Sequence, residues 1–192
     1  MSKRQRQLAF QIFKTKHLLV QGGDFTKGHP RERRPLCTKR SIHLVMRSSL
    51  ATGRRSFLQK DNNQAVRLIV WRQAQRFGIK VYELVPNWNH FHAVVRLTKP
   101  HLFSAFLRAV SGLIARAILG AQRGSAKGLK FWDARPFTRI VAWGQAYKLL
   151  KEYMVKNELE AVGFAVRTRT VQSGKGRALP GQICWPRELM TT

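Results

Sequence analysis

The chain is short of acids. Its 192 residues hold 9 Asp and Glu against 36 Lys and Arg, a formal charge of +27. Such an imbalance strains a compact domain unless a polyanion neutralises it, so the expected partner is nucleic acid. The acids present, at Asp24, Glu32, Asp61, Glu83, Asp133, Glu152, Glu158, Glu160 and Glu188, are scattered. That argues against a two-metal mechanism, which needs clustered carboxylates. Cysteine is scarcer still: Cys37 and Cys184 lie far apart, with no Cys or His at zinc-like spacing beside either. Neither a disulfide framework nor a zinc finger is indicated. No run approaches about 18 uninterrupted apolar residues, so a membrane is not the expected partner. The basic start MSKRQRQLAFQIFKTK resembles a signal peptide only briefly, because Gln11 and Lys14 cut its apolar run and no small-residue cleavage site follows. The expected location is the cytoplasm, in association with the nucleoid. A GxxxxGK[ST] phosphate loop is also missing.

What is present suits one globular domain with tails, since 44% of the residues are hydrophobic. Residues 1–60 carry 15 Lys or Arg and two acids, and QGGDFTKGHPRERRPL within them cannot bury much surface. Residues 1–38 read as a basic extension, 39–163 as the folded domain and 164–192 as a weakly structured basic tail. In SIHLVMR, Ile42, Leu44 and Met46 alternate with Ser41, His43, Val45 and Arg47, the period of a half-buried strand. Val66, Ile69, Val70, Ala74 and Phe77 recur at helical spacing between a capping Asp61 and a terminating Gly78. KVYELVP, the turn PNWN and HFHAVVRL read as a hairpin. A second apolar helix runs to Gly120, and FWDARPFTRIVA is a candidate edge strand because it holds Pro136. GQAYKLLKEYMVKNELEAVG is a last helix, closed by Gly163. The order predicts an α+β fold, a ferredoxin-like βαββαβ antiparallel sheet with two helices on one face, plus a C-terminal helix.

Period two sends Phe91, Ala93, Val95 and Leu97 under the helices, and His90, His92, Val94 and Arg96 to the opposite, open face. Two imidazoles two residues apart can point at one ion. They can equally just pack and hydrogen-bond. Tyr153 and Asn157 are four residues apart and share a face of the last helix, where a tyrosine beside Leu149 and Leu150 is also an ordinary core residue.

PNWNHFH resembles the Pro-Asn-x-x-His-hydrophobic-His signature of the HUH single-strand endonucleases. The later Tyr-x-x-x-Asn resembles the single-tyrosine transposase branch, and within it the chain looks most like a REP-associated tyrosine transposase. The similarity runs from strand one to Gly163 and includes His43 and Arg47 in HLVMR, and Trp132, Arg135 and Pro136 in FWDARPF. It departs at Glu158, where relatives commonly have proline. The resemblance implies that Tyr153 is the nucleophile, that His90 and His92 ligate a divalent ion, Mg2+ or Mn2+, and that Asn157 supplies a third ligand. It implies cleavage and rejoining of single-stranded, hairpin-associated DNA through a 5′-phosphotyrosine intermediate, by a monomer or a homodimer. A repressor-like DNA- or RNA-binding protein that keeps the fold without cutting is the alternative.

Arg31, Arg33, Arg34, Lys39 and Arg40 cluster before strand one, with Arg47 at its end and Arg54 and Arg55 after it. With this charge, phosphate contact is the favoured reading over plain solvated surface. Trp88, in a polar turn, is a candidate to stack on an unpaired base, whereas core packing is favoured for Trp132. His43 shares the face of His90 and His92, where it either touches metal or DNA or serves as a hydrogen-bonded spectator.

Overall fold

The computed structural model describes residues 19–23, 33–120 and 130–163, the side chains of residues 161 and 162 excepted. Arg31, Cys184, most of the basic extension and the tail 164–192 lie outside the described residues. Five antiparallel strands, β1 (Val20–Gln21), β2 (Ser41–Arg47), β3 (Ile79–Pro86), β4 (His90–Leu97) and β5 (Phe137–Val141), form one sheet in the order β1-β5-β2-β4-β3. Helices α1 (Lys60–Arg76) and α2 (Phe103–Leu119) make the crossovers, and α3 (Gln145–Val162) follows β5. From β2 to β5 this is the α+β, ferredoxin-like βαββαβ order.

The alternation of β2 and β4 is the physical basis of the sheet. Ile42, Leu44 and Met46 of β2 pack with Phe91, Ala93, Val95 and Leu97 of β4, all nearly inaccessible to solvent. Onto this face α1 sets Val66, Val70 and Ala74, and α2 sets Phe103, Phe106, Val110 and Ile114. Pro100–Leu119 is long and apolar enough to cross a membrane by composition alone, but Phe103, Phe106, Val110 and Ile114 are fully buried against the sheet. Their hydrophobicity belongs to a core.

Three local expectations need correction. Helix α1 begins at Lys60 after Gln59, without a side-chain cap, so Asp61 lies inside the first turn. There its charge complements the helix dipole instead of capping it. Pro136 does not make β5 a free edge. It stands one residue before the strand, where its missing N–H costs no ladder bond, and β1 pairs outside β5, Val20 with Arg139 and Gln21 with Thr138. Gly22 permits this closure, since its φ of +89° and the nearness of the Pro136 carbonyl leave no room for a Cβ. Finally, the face opposite α1 and α2 is not open over its whole extent. Val85, Val94 and Val141 are covered there by Leu150 and Met154 of α3.

Candidate nuclease site beneath the third helix

The second face of the sheet carries Ser41, His43 and Val45 from β2, His90, His92 and Val94 from β4, and Phe137, Arg139 and Val141 from β5. The β2–β4 register opposes Arg47 to His90 and Val45 to His92. Covering by α3 takes His92 out of water entirely, and His43 is 1% exposed. Their rings lie nearly parallel, 11° apart, with His43 Nε2 3.0 Å from His92 Nδ1. His90 is half-buried, its Nδ1 3.0 Å from Asn89 Oδ1, and its ring stands perpendicular to that of His92 with centroids 4.9 Å apart.

Burial keeps all three imidazoles neutral. The pKa of His43 falls to about 3, mainly through desolvation and then through the Arg139 guanidinium. That of His90 falls to about 4, through desolvation and then Arg47. Desolvation, reinforced by His43 and His90, pushes His92 well below the ordinary range. A neutral imidazole is the form that can ligate a metal.

Helix α3 brings the tyrosine to this surface within the same chain. The Tyr153 ring packs edge-on against His92, centroids 5.7 Å apart and planes at 86°. One turn later Asn157 Nδ2 donates to the Tyr153 carbonyl at 2.8 Å. Asn87, buried in the hairpin turn, reaches across with its Nδ2 to the Asn157 carbonyl at 3.4 Å. Asn87 thus joins the histidine hairpin to the tyrosine helix, a role that its place in a turn motif did not signal. Arg67 adds a second tie, donating to the Leu84 carbonyl at 3.1 Å while its Nη2 lies 3.9 Å from Glu158. Among the described residues no group of three or more His, Cys, Asp or Glu side chains converges to hold a metal.

The basic residues divide into two kinds. Arg33, Lys39, Arg40, Arg54 and Arg55 are exposed. Arg34 is a strut: its Nη1 donates to the Pro136 carbonyl at 2.9 Å and to Thr138 Oγ1, and burial beside Arg135 lowers its pKa to about 10. Arg47 is half-buried and pairs with Asp133 at 3.5 Å, while Asp133 also accepts from the Ser49 backbone at 2.7 Å and its hydroxyl at 2.8 Å. Lys39–Arg40 and Arg54–Arg55 flank opposite ends of β2, about 20 Å apart at the rise of a strand. Only the second pair lies at the His90 end, because Arg47 opposes His90. Trp88 is there too, 61% exposed. Trp132 packs in the core among Phe57, Phe91 and Phe131, its indole N–H donating to the Ser111 carbonyl at 2.9 Å.

Residues 37–157 match the family described as IS200-like transposase. No curated protein sequence matches. Among solved structures, a REP-associated tyrosine transposase bound to a REP hairpin superposes with a TM-score of 0.54 at 17% identity, covering 70% of this chain and 75% of its own. A candidate transposase of Deinococcus radiodurans aligns with a TM-score of 0.42 at 18% identity, over 67% of this chain and 97% of its own. The first of these supports the fold. The family match spans most of the chain, from the approach to β2 to Asn157 in α3, and on it the protein belongs to the IS200-like, single-tyrosine HUH transposases.

Proposed function

We propose that this transposase cuts and rejoins single-stranded DNA beside hairpins, with Tyr153 as nucleophile. The observation that carries the reading is the packing of the Tyr153 ring against His92 in one chain, next to His90. The phenol oxygen of Tyr153 forms a bond to phosphorus as the bond from phosphorus to the 3′-oxygen breaks. The phenol proton leaves to solvent, the departing oxygen takes up a proton, and the products are a 5′-phosphotyrosine link and a free 3′-hydroxyl. One phosphodiester replaces another, so rejoining needs no ATP, in keeping with a sequence that has no phosphate loop.

A phenol with an ordinary pKa near 10 is a poor nucleophile at neutral pH, and a phosphate repels attack. The donors assigned to a divalent ion in this reading are two neutral imidazoles, from His90 and His92, and the Asn157 carboxamide; imidazole nitrogens suit Mn2+ better than the harder Mg2+, and among the described residues no carboxylate joins the two histidines. When bound, such an ion would supply Lewis-acid polarisation of the scissile phosphate. The chain's own residues orient the rest. Asn157 bonds the Tyr153 carbonyl, and Asn87 fastens α3 to the hairpin. Exposed Arg54, Arg55 and Trp88 at the same end, with Arg33, Lys39 and Arg40 further off, are the candidate DNA contacts. The hairpin held by the REP-associated relative supports a hairpin-bearing substrate.

Incubation with single-stranded hairpin DNA and Mg2+ or Mn2+ should give a covalent protein–DNA adduct on a denaturing gel, abolished in Tyr153→Phe. An adduct that persists in that variant overturns the nucleophile assignment. Tight binding without an adduct across a broad hairpin library would favour the non-cutting, repressor-like alternative.

A further inference from the structure

The metal-assisted reading gives the buried imidazole of His43 no task. His43 is 1% exposed, on the strand next to the histidine pair, with its Nε2 3.0 Å from His92 Nδ1. In the β2–β4 register His43 opposes Val94 and Val45 opposes His92, so the two histidines are diagonal neighbours on one face. The Phe137 ring stands edge-on to His43 at 6.5 Å and helps fix its orientation.

We propose that His43 is a positioning residue that holds His92 as its Nδ1–H tautomer, so that His92 Nε2 presents the lone pair a divalent ion requires. Two neutral imidazoles bonded nitrogen to nitrogen have one proton between them. If His43 donates, His92 keeps its proton on Nε2 and cannot ligate through that atom. If His92 donates, Nε2 is a ligand and the ring cannot rotate without breaking a buried hydrogen bond. A histidine ligand needs such a partner to set tautomer and ring direction, and loss of one typically weakens metal binding 10- to 100-fold. Elsewhere that partner is commonly a carboxylate or a backbone carbonyl; in this acid-poor chain an imidazole takes its place.

The proposal rests on the metal-assisted reading, and its test separates the two. Long-range proton–nitrogen NMR of the metal-free full chain reports the tautomer directly, and His92 is expected as Nδ1–H, the minority form of a free imidazole. Titration with Mn2+ alone is expected to give a roughly 10- to 100-fold weaker affinity for His43→Leu. His43→Gln, which keeps an oxygen acceptor, should bind within a few fold of wild type. Thermal melts establish that each variant is folded; if His43→Leu is not, the wild-type tautomer and His43→Gln still decide. Mn2+ binding with His92 protonated on Nε2, or unchanged by His43→Leu, overturns the assignment of His43 alone. A wild-type chain that binds no Mn2+ overturns both.

Discussion

The two faces of one sheet do different work, and β4 shows the division residue by residue. Its odd-numbered side chains, Phe91, Ala93, Val95 and Leu97, belong to the apolar cluster beneath α1 and α2. Its even-numbered ones meet a mixed surface, where Val94 packs under α3 while His92 is bonded to His43 and touches Tyr153. Both faces are dry around residues 91–94, so burial alone does not distinguish them. The difference is chemical. On the first face burial is favourable outright; on the second it is imposed on polar rings, which must be kept neutral and hydrogen-bonded to tolerate it. A fold can accept that cost where the groups are needed for reaction.

The sharpest way to break the comparison is to change one atom on the second face. Tyr153→Phe removes the oxygen that would attack phosphorus and keeps the ring that packs against His92. Adduct formation and strand transfer should fall by at least about 10³-fold, while the urea midpoint moves little. Phe91→Ala makes the opposite change on the first face. Phe91 is fully buried and meets Phe57 and Trp132 edge-on, and its truncation should cost about 3–5 kcal/mol of stability. Urea unfolding reads that loss. Adduct formation by the fraction that stays folded should remain near wild type.

Acid should separate the faces without a mutation. The folded protein holds His43 and His90 neutral down to about pH 3 and pH 4, and His92 neutral well below its usual range. The unfolded chain takes up these protons near pH 6.5. Between those limits the unfolded state binds more protons, so the stabilising contribution is fully present above pH 6.5 and declines as pH falls toward the folded-state values. Each fully buried ring, His43 and His92, can cost at most about 1.4 kcal/mol per pH unit in that window. Urea midpoints measured at pH 7, 6 and 5 should therefore decline, and His43→Gln should flatten the decline. A midpoint constant down to pH 5 would contradict the burial of these rings.

How far the sequence reveals this depends on the range of the interaction. The alternation in SIHLVMR and HFHAVVRL is local, and it marks both faces, with His43, His90 and His92 on the same one. The spacing of Tyr153 and Asn157 is local too. Less visible is anything that needs register. The bond from His43 to His92 depends on a one-residue choice of pairing between strands 49 positions apart. Helix α3 carries only a weak apolar stripe, so its seat over Val85, Val94 and Val141 is set by the sheet below it. Two residues are too few for a pattern, which hides β1. Arg34 and Arg47 look like any other cations in a basic run, and only the carbonyls and the Asp133 carboxylate that receive them reveal struts.

The smallest expected effect concerns the rim where the second face meets solvent. Trp88 is held by its backbone on both sides. Its N–H donates to Asn87 Oδ1 at 2.7 Å, and its carbonyl accepts from the Phe57 N–H and the Ser56 hydroxyl, each at 2.9 Å. The indole nevertheless projects, 61% exposed, two residues before His90 and beside the turn that carries Arg54 and Arg55. An exposed aromatic on a fixed backbone has little ordering entropy left to lose when a base stacks on it. Trp88→Ala should weaken binding of single-stranded DNA by about 1–3 kcal/mol, roughly 5- to 150-fold, with the salt dependence unchanged, because no phosphate contact is lost. Arg54→Ala should do the reverse, with a smaller loss of affinity and a shallower salt slope, by about 0.7 for one phosphate on a single strand. Fluorescence anisotropy across a salt series reads both. If Trp88→Ala changes neither the affinity nor the slope while Arg54→Ala makes the slope shallower, the rim acts by charge alone, and the division of labour ends at His90.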